Sequence, residues 1–340
     1  MKSRVIRFVK DWTLPISIGL GSAIYLVFSH IRSLDGLTSG LEPFWEMCLP
    51  FCTFWVLYVT FCKVDFHKMR PARWHFLVLL AQFLIVAAIV SLTYFLELSG
   101  NTRLLMESLL ACVISPVATA APVVTQKLGG NLEEMTACAF LSNILSAVLI
   151  PVSFTLISDN QEITFLQGVG KISADVALVL LLPLACAYVT KHYLHGLHRR
   201  VVGVRDLAYY LWCVNLVLVS GITVRNIANA PTSGPFLLLI AAAVMMAYGM
   251  GCIGCPHAMM ESIEMACAML FWLGRTLGKP FNASVNGGQA LMQKNTAFAI
   301  WVANTYLNPL SAVGPGCYIL WQNIVNSVEI WAHGRQANRS

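Results

Sequence analysis

Ser115-Pro116-Val117-Ala118-Thr119-Ala120-Ala121-Pro122 and Gly287-Gly288-Gln289-Ala290-Leu291-Met292-Gln293-Lys294-Asn295 each interrupt an apolar run. The first lies in the fourth such run of the chain, and the second opens the ninth. The ten runs cover roughly 13–30, 44–62, 74–97, 103–127, 132–157, 165–190, 206–224, 235–272, 286–307 and 312–331. Fourth and ninth of ten is fourth in each half of five. Interrupted membrane helices at matching places in two halves are the best sequence pointer to the binding site of a transporter.

The chain has 340 residues, 57% of them hydrophobic and 11% charged, and its mean hydropathy is +0.69. Soluble domains carry roughly 25% charged residues. Apolar runs of about 20 residues match the thickness of a bilayer. Lipid offers the backbone no hydrogen-bond partners, so runs that span it must be helices. Strand-type alternation over ten-residue stretches, the mark of a membrane barrel, is absent. The fold class is therefore all-α, a polytopic membrane protein. The eleven Cys lie in or beside apolar segments and read as small core residues. The net charge of +6 is no footprint of nucleic acid, because Lys and Arg sit mostly in the loops.

Those loop charges report topology. The N-terminus holds Lys2, Arg4, Arg7 and Lys10, the loop after segment two holds Lys63, Lys68, Arg70 and Arg73, and the loop after segment six holds Lys191, Arg199, Arg200 and Arg205. Loops on this side carry seventeen Lys and Arg, against three on the other. The positive-inside rule then gives ten spans of the cell (inner) membrane with both termini in the cytoplasm. The stretch 235–272 is long enough for two crossings, but a second would put Arg275 and Lys279 on the wrong side. Its surplus around Gly249 to Pro256 is then a long kinked helix or a re-entrant piece. No small-residue cleavage site follows the basic N-terminus, which reads as an uncleaved first helix. Five spans per half is an odd number, so two related halves must be inverted relative to each other. Asn143-Ile144-Leu145-Ser146 is echoed by Asn323-Ile324-Val325-Asn326-Ser327, as such a repeat would require.

Pro116 and Pro122 remove backbone donors and push the preceding residue out of the helical region. Thr119 and Thr125 can bond freed carbonyls or a ligand. Segment four is then either unwound near the midplane, with a new helix N-terminus facing an anion, or an ordinary proline kink. In segment nine Gly287 and Gly288 are expected to loosen the chain. Gln289 and Gln293, four apart, share a helix face, and Asn295 follows them. Lys294 inside a span costs several kcal/mol unless solvated or paired, which makes it a functional candidate. The competing reading is a later helix start, with the ammonium snorkelling to the surface.

Other polar groups within the spans are Gln82 in segment three and the interhelical hydrogen-bond formers Asn143, Asn304, Gln322, Asn323 and Asn326. Lys171 and Asp175, four apart, are expected to pair. Glu107 suits a helix N-terminus. Cys252-Ile253-Gly254-Cys255-Pro256-His257 lacks the further ligands of a zinc site. The common hydrolase and nucleotide motifs are missing, which leaves a polytopic membrane enzyme as a minor alternative.

Four places combine into a resemblance. They are Phe61-Cys62-Lys63-Val64-Asp65-Phe66-His67-Lys68-Met69-Arg70-Pro71, Gln82, the run from Pro116 to Gly129-Gly130-Asn131, and the run from Gly288 to Asn295 followed by Trp321-Gln322-Asn323-Ile324. Together they resemble the bile acid:sodium symporter family, in its bacterial branch, over nearly the whole chain. The resemblance implies a panel of helices one, two, six and seven (1–65 and 161–230). It also implies a core of helices three to five and eight to ten (66–160 and 231–335), in which broken helices four and nine cross. The implied activity is sodium-coupled uptake of organic anions, from bile acids to small carboxylates, with no enzymatic step.

The chain departs from that pattern where sodium should bind. Sodium-coupled members of the family carry Ser-Asn after Thr-Ala in helix four; Ala121-Pro122 stands here. The hydroxyl positions of helix five fall on Met135 and Ala139, with Thr136 adjacent. Gln289 replaces the family's Glu and Lys294 its Asn, while Gln82 and Gln293 remain. Sodium, the one candidate ion, takes oxygen ligands and counter-charge, and each change works against it. The ammonium of Lys294 is therefore expected to occupy the vacated ion position, or to exchange a proton during the cycle.

The expected site comprises Gln82, Thr119, Pro122, Thr125, Gln289, Gln293, Lys294 and Asn295, with helix breaks at Pro116, Pro122, Gly287 and Gly288. No catalytic residue, resident metal or cofactor is expected. The partners are a small organic anion and the lipid bilayer. A distant arsenite-efflux relative of the family uses a Cys in helix four, where Cys112 lies, so metalloid export is a second alternative. The sequence names neither the substrate nor the oligomeric state.

Overall fold

The computed structural model describes residues 13–30, 35–64, 70–96, 98, 100–157, 165–204, 207–228 and 258–337. In chain order its helices are α1 (Thr13–His30), α2 (Asp35–Lys63), α3 (Arg73–Phe95), α4 (Gly100–Ile114), α5 (Ala121–Lys127), α6 (Leu132–Ile157), α7 (Phe165–Leu180), α8 (Leu182–Tyr193), α9 (His195–Gly203), α10 (Leu207–Ala228), α11 (Ala258–Gly278), α12 (Ser284–Met292), α13 (Thr296–Tyr306) and α14 (Val313–Ala337). Two short 3-10 turns, Lys279–Phe281 and Pro309–Ala312, join the last four. Among the described residues no named strand occurs. Among the described residues three stretches are long and apolar enough to cross a bilayer: Arg73–Phe95, Leu132–Ile157 and Phe165–Tyr193.

The chain divides into two compact units, Met1–Lys63 with Leu182–Ala230 and Val64–Leu181 with Pro231–Ser340. In the first, α10 packs on α1 and α2, and α8 packs on α2. A Cβ on Gly21 would lie 2.2 Å from the Val217 carbonyl oxygen, so glycine lets α1 and α10 approach closely. Two polar pairs link helices inside this bundle. The hydroxyls of Tyr58 and Thr190 bond at 3.0 Å, and Asn215 Nδ2 donates to Thr53 Oγ1 at 3.3 Å.

In the second unit α3, 23 residues long or about 35 Å, shows the reverse of a soluble amphipathic helix. Its buried face reads Trp74, Val78, Gln82, Val86 and Val90, and its exposed face is Phe76, Leu80, Phe83 and Leu84. Apolar residues pointing out and a polar residue pointing in suit lipid surroundings. The start of α6 is set by Asn131, whose Oδ1 accepts the N–H groups of Glu133 and Glu134. Those two carboxylates complement the helix dipole. Glu134 also accepts from Trp74 Nε1 at 2.7 Å, tying α6 to α3.

The described elements match segment five in full and extend segment six to Tyr193, with a turn at Leu181 ahead of Pro183. The eighth begins its described part at Ala258; the Cys252 to His257 motif lies outside the described residues. Lys171 and Asp175 do not pair. Asp175 instead accepts from the Tyr306 hydroxyl at 2.5 Å, because a part-buried phenol needs an acceptor, while Lys171 is exposed.

Candidate functional site

Helix four is broken where its prolines predict. It stops at Ile114 and resumes at Ala121 as α5, with Ser115 to Ala120 non-helical. Pro116 lies in the break. Pro122 lies in the first turn of α5, where a missing N–H does no harm, so it starts the new half-helix rather than interrupting one.

Helix nine is broken elsewhere than Gly287 and Gly288. Both glycines lie inside α12, and the non-helical residues are Gln293, Lys294 and Asn295. The glycines serve packing. A Cβ on Gly287 would meet the Gly274 oxygen at 2.2 Å, and one on Gly274 would meet the Gly287 oxygen at 2.1 Å. The backbones of α11 and α12 touch here, as small residues permit in membrane bundles.

The two breaks lie against each other. Ala118 N–H donates to the Gln293 oxygen and Asn295 N–H to the Pro116 oxygen, each at 2.8 Å, with Val117 and Lys294 opposed in an antiparallel bridge. Non-helical backbone at membrane depth must find partners in protein, and here each break supplies the other. The central N–H of each goes to a side chain of another helix, α6 for the first break and α14 for the second. Val117 N–H donates to Ser142 Oγ at 3.0 Å, and Lys294 N–H to Gln322 Oε1 at 3.0 Å.

The carbonyls freed at the half-helix ends are likewise collected. Gln82 Nε2 donates to the oxygens of Val113, Ile114 and Ser115 at 3.0–3.3 Å. Ser146 Oγ reaches Ile114 at 2.7 Å, and the Tyr318 hydroxyl reaches Met292 at 2.7 Å. Gln82 is thus a brace of the break. Asn295 caps α13 through Phe298 N–H.

Each half-helix pair is also tied at its far end. Asn131 N–H donates to Asn286 Oδ1 at 2.9 Å, and Asn286 Nδ2 returns a bond to the Asn131 oxygen at 2.7 Å. At the other end Asn308 N–H donates to Glu107 Oε2 at 3.2 Å, and Arg103 Nε holds Glu107 Oε1 at 3.0 Å. Thr125 belongs nearer the first of these ties than the crossing, since it and Asn286 both border Gly130. Thr119 is part-buried in the turn before α5.

Lys294 is the charged group at the crossing. It is 0% exposed, and its Nζ has no hydrogen-bond partner among the described residues. Among the described residues the titratable groups that act on its charge are the Cys138 and Cys112 thiols, with no carboxylate. Both side-chain amide atoms of Gln289, Oε1 of Gln293 and Oγ1 of Thr125 are also buried without partners. Buried polar groups ordinarily find partners. Gln289 and Gln293 share with Lys294 the stretch that leads into the second break, whereas Thr125 lies toward the Asn131–Asn286 tie.

Sequence reasoning missed Ser142, Ser146, Asn286 and Tyr318. Ser142 and Ser146 are four apart on one face of α6, a small polar stripe that could have been read. The other two sit in runs with no such signal.

The described residues are helical, three stretches among them are long and apolar enough to cross a bilayer, and two interrupted helices meet at their breaks. A model of the sodium bile acid symporter family matches residues 50–229, more than half of the chain, and the chain belongs to that family. Its members are transporters of small molecules, and the protein is an integral membrane protein. The match includes the first break and ends before the second, so Gln293 and Lys294 lie outside it. No curated protein matches the sequence.

Proposed function

We propose that the protein is a secondary transporter of an organic anion, bile-acid-like or a small carboxylate, in which Lys294 stands where relatives bind sodium. Ten spans form two inverted five-helix repeats, both termini are cytoplasmic, and transport proceeds by alternating access. The observation that carries this reading is the fully buried, unpartnered Lys294 ammonium at the crossing.

Hydrogen-bond equivalences support the inverted repeat. Val117 corresponds to Lys294 and Ser142 to Gln322, each pair a central N–H and its acceptor. Asn143 Nδ2 donates to Ala139 at 2.7 Å and Asn323 Nδ2 to Ile319 at 2.6 Å, both four residues back. Asn131 and Asn308 each accept, through Oδ1, from the N–H two residues on. Ser142 with Gln322 and Asn143 with Asn323 keep the register of the echo between Asn143 to Ser146 and Asn323 to Asn326, while Val117 with Lys294 and Asn131 with Asn308 share a second, shorter register.

The donor set does not suit sodium. Ala121 and Pro122 offer no side-chain oxygen, and Lys294, when protonated, repels a cation. A substrate carboxylate would neutralise Lys294, and Gln289 and Gln293 would orient it. A proton leaving Lys294 would let the empty carrier return, which couples uptake to the proton gradient. Thiol-dependent metalloid export has weaker support. Cys112 is buried near Cys267 and Cys317, but among the described residues no three metal-ligating side chains converge. Cys112→Ser is expected to leave transport intact.

Thermal unfolding of purified protein against a panel of mono- and dicarboxylates and bile-acid-like anions tests the proposal. At least one anion is expected to raise the midpoint saturably, and Lys294→Met to abolish the rise. A panel in which no anion stabilises, or an anion that stabilises Lys294→Met equally, would overturn it.

A further inference from the structure

Helix α9 has an assignment to make that transport leaves open. The apolar stretch Phe165–Tyr193 ends one residue before α9 begins at His195, so α9 follows directly on a stretch long and apolar enough to cross a bilayer. None of its nine residues is buried. Leu194, Leu197, Val201 and Val204 recur at helical spacing on one face, and Leu194, Leu197 and Val204 are each close to half exposed. His195 and Arg199 lie on the opposite face, with Arg200 at its flank. Among the described residues no ion pair includes Arg199 or Arg200, and both are exposed. The helix is pinned to the end of α2: His198 Nε2 bonds the Cys62 oxygen at 2.9 Å, and Lys63 Nζ donates to the Val204 oxygen at 3.2 Å. Pinning fixes which faces remain outward.

A basic helix with an exposed apolar stripe, held at a membrane boundary, is built to lie in the interface. Its charge complements phosphate, and arginine engages phosphate with two parallel N–H bonds. We propose that α9 is a surface helix that binds anionic phospholipid headgroups through Arg199 and Arg200, with Leu194, Leu197 and Val204 seated at the acyl boundary. Lipid charge thereby anchors the α8–α10 connection. This rests on the membrane location alone and is independent of what is transported.

Hydrogen–deuterium exchange of the full chain in lipid nanodiscs tests it. Amides of α9 are expected to exchange more slowly in phosphatidylglycerol-containing discs than in pure phosphatidylcholine, and the difference to shrink at high salt. Removing charge is expected to reduce the protection roughly fivefold per arginine, so Arg199→Gln/Arg200→Gln loses most of it. Equal exchange of the wild-type protein in both lipids would overturn the proposal, whatever the variant does. So would protection reproduced in phosphatidylcholine discs by inorganic phosphate, which would mark a free-anion site. Protection that persists in a folded double variant would also contradict it, and would point to an acidic protein surface or to apolar seating alone.

Discussion

The two breaks share a backbone and differ in what they present. At each, a central N–H is taken by a side chain of another helix, α6 or α14, and two bonds of 2.8 Å join one break to the other. Yet Val117 occupies the central place on one side and Lys294 on the other. Matching backbone bonds thus carry one-sided chemistry. The scaffold solves a problem that any broken membrane helix has, unpaired backbone in lipid. The charge has no such need, and its cost of several kcal/mol in a span points to use.

Exchanging side chains at the two central positions gives the largest expected contrast. Lys294→Met is expected to reduce uptake by roughly 100-fold or more, the scale of about 3 kcal/mol in transition-state terms. It should also raise the unfolding temperature, because an uncompensated buried charge is removed. Val117→Ala is expected to change uptake only a few-fold. Equal losses in a proteoliposome assay would break the asymmetry.

Next comes the packing that supports the second break alone. Gly287→Ala drives a Cβ into the Gly274 backbone oxygen, a contact of 2.2 Å, and is expected to destabilise by roughly 1–3 kcal/mol or more. Gly288→Ala meets a side chain, Arg275 Cγ at 2.7 Å, rather than backbone and should cost less. Denaturation midpoints of the two variants check the ordering.

The scaffold itself predicts parity. Ser142→Ala and Gln322→Leu each strand one buried backbone N–H, at about 1–3 kcal/mol apiece. Similar shifts in thermal unfolding would sharpen the two-fold correspondence; a wide gap would weaken it. The smallest effect belongs to the end ties. Glu107→Gln keeps an acceptor for Asn308 and loses the charge pairing with Arg103, for about 0.5–1 kcal/mol. Asn286→Ala loses both bonds to Asn131 and should cost more.

The first break was legible because proline acts locally, on its own nitrogen and on the residue before it. The second was misplaced because glycine is ambiguous. Gly287 reads as a loosening signal, but its role depends on Gly274, thirteen residues earlier, and a close approach between helices leaves no trace in local pattern. Lys294 was legible as an outlier of charge in an apolar run. Its surroundings were not, because Ser142, Gln322 and Tyr318 reach the breaks from far along the chain. Asp175 was assigned to Lys171 by spacing, yet Tyr306, distant in sequence, took the carboxylate. Bounds such as those of α6 were legible where capping is local, in Gly129-Gly130-Asn131 and the two glutamates that follow.

Uptake of a stabilising organic anion into proteoliposomes, with the sodium gradient present or collapsed, bears most directly on Lys294 as the resident cation. Initial rates are expected to be the same in both, and Lys294→Asn to make uptake weak and sodium-responsive. An absolute sodium requirement in the wild-type protein, at two ions per anion carried, would contradict it.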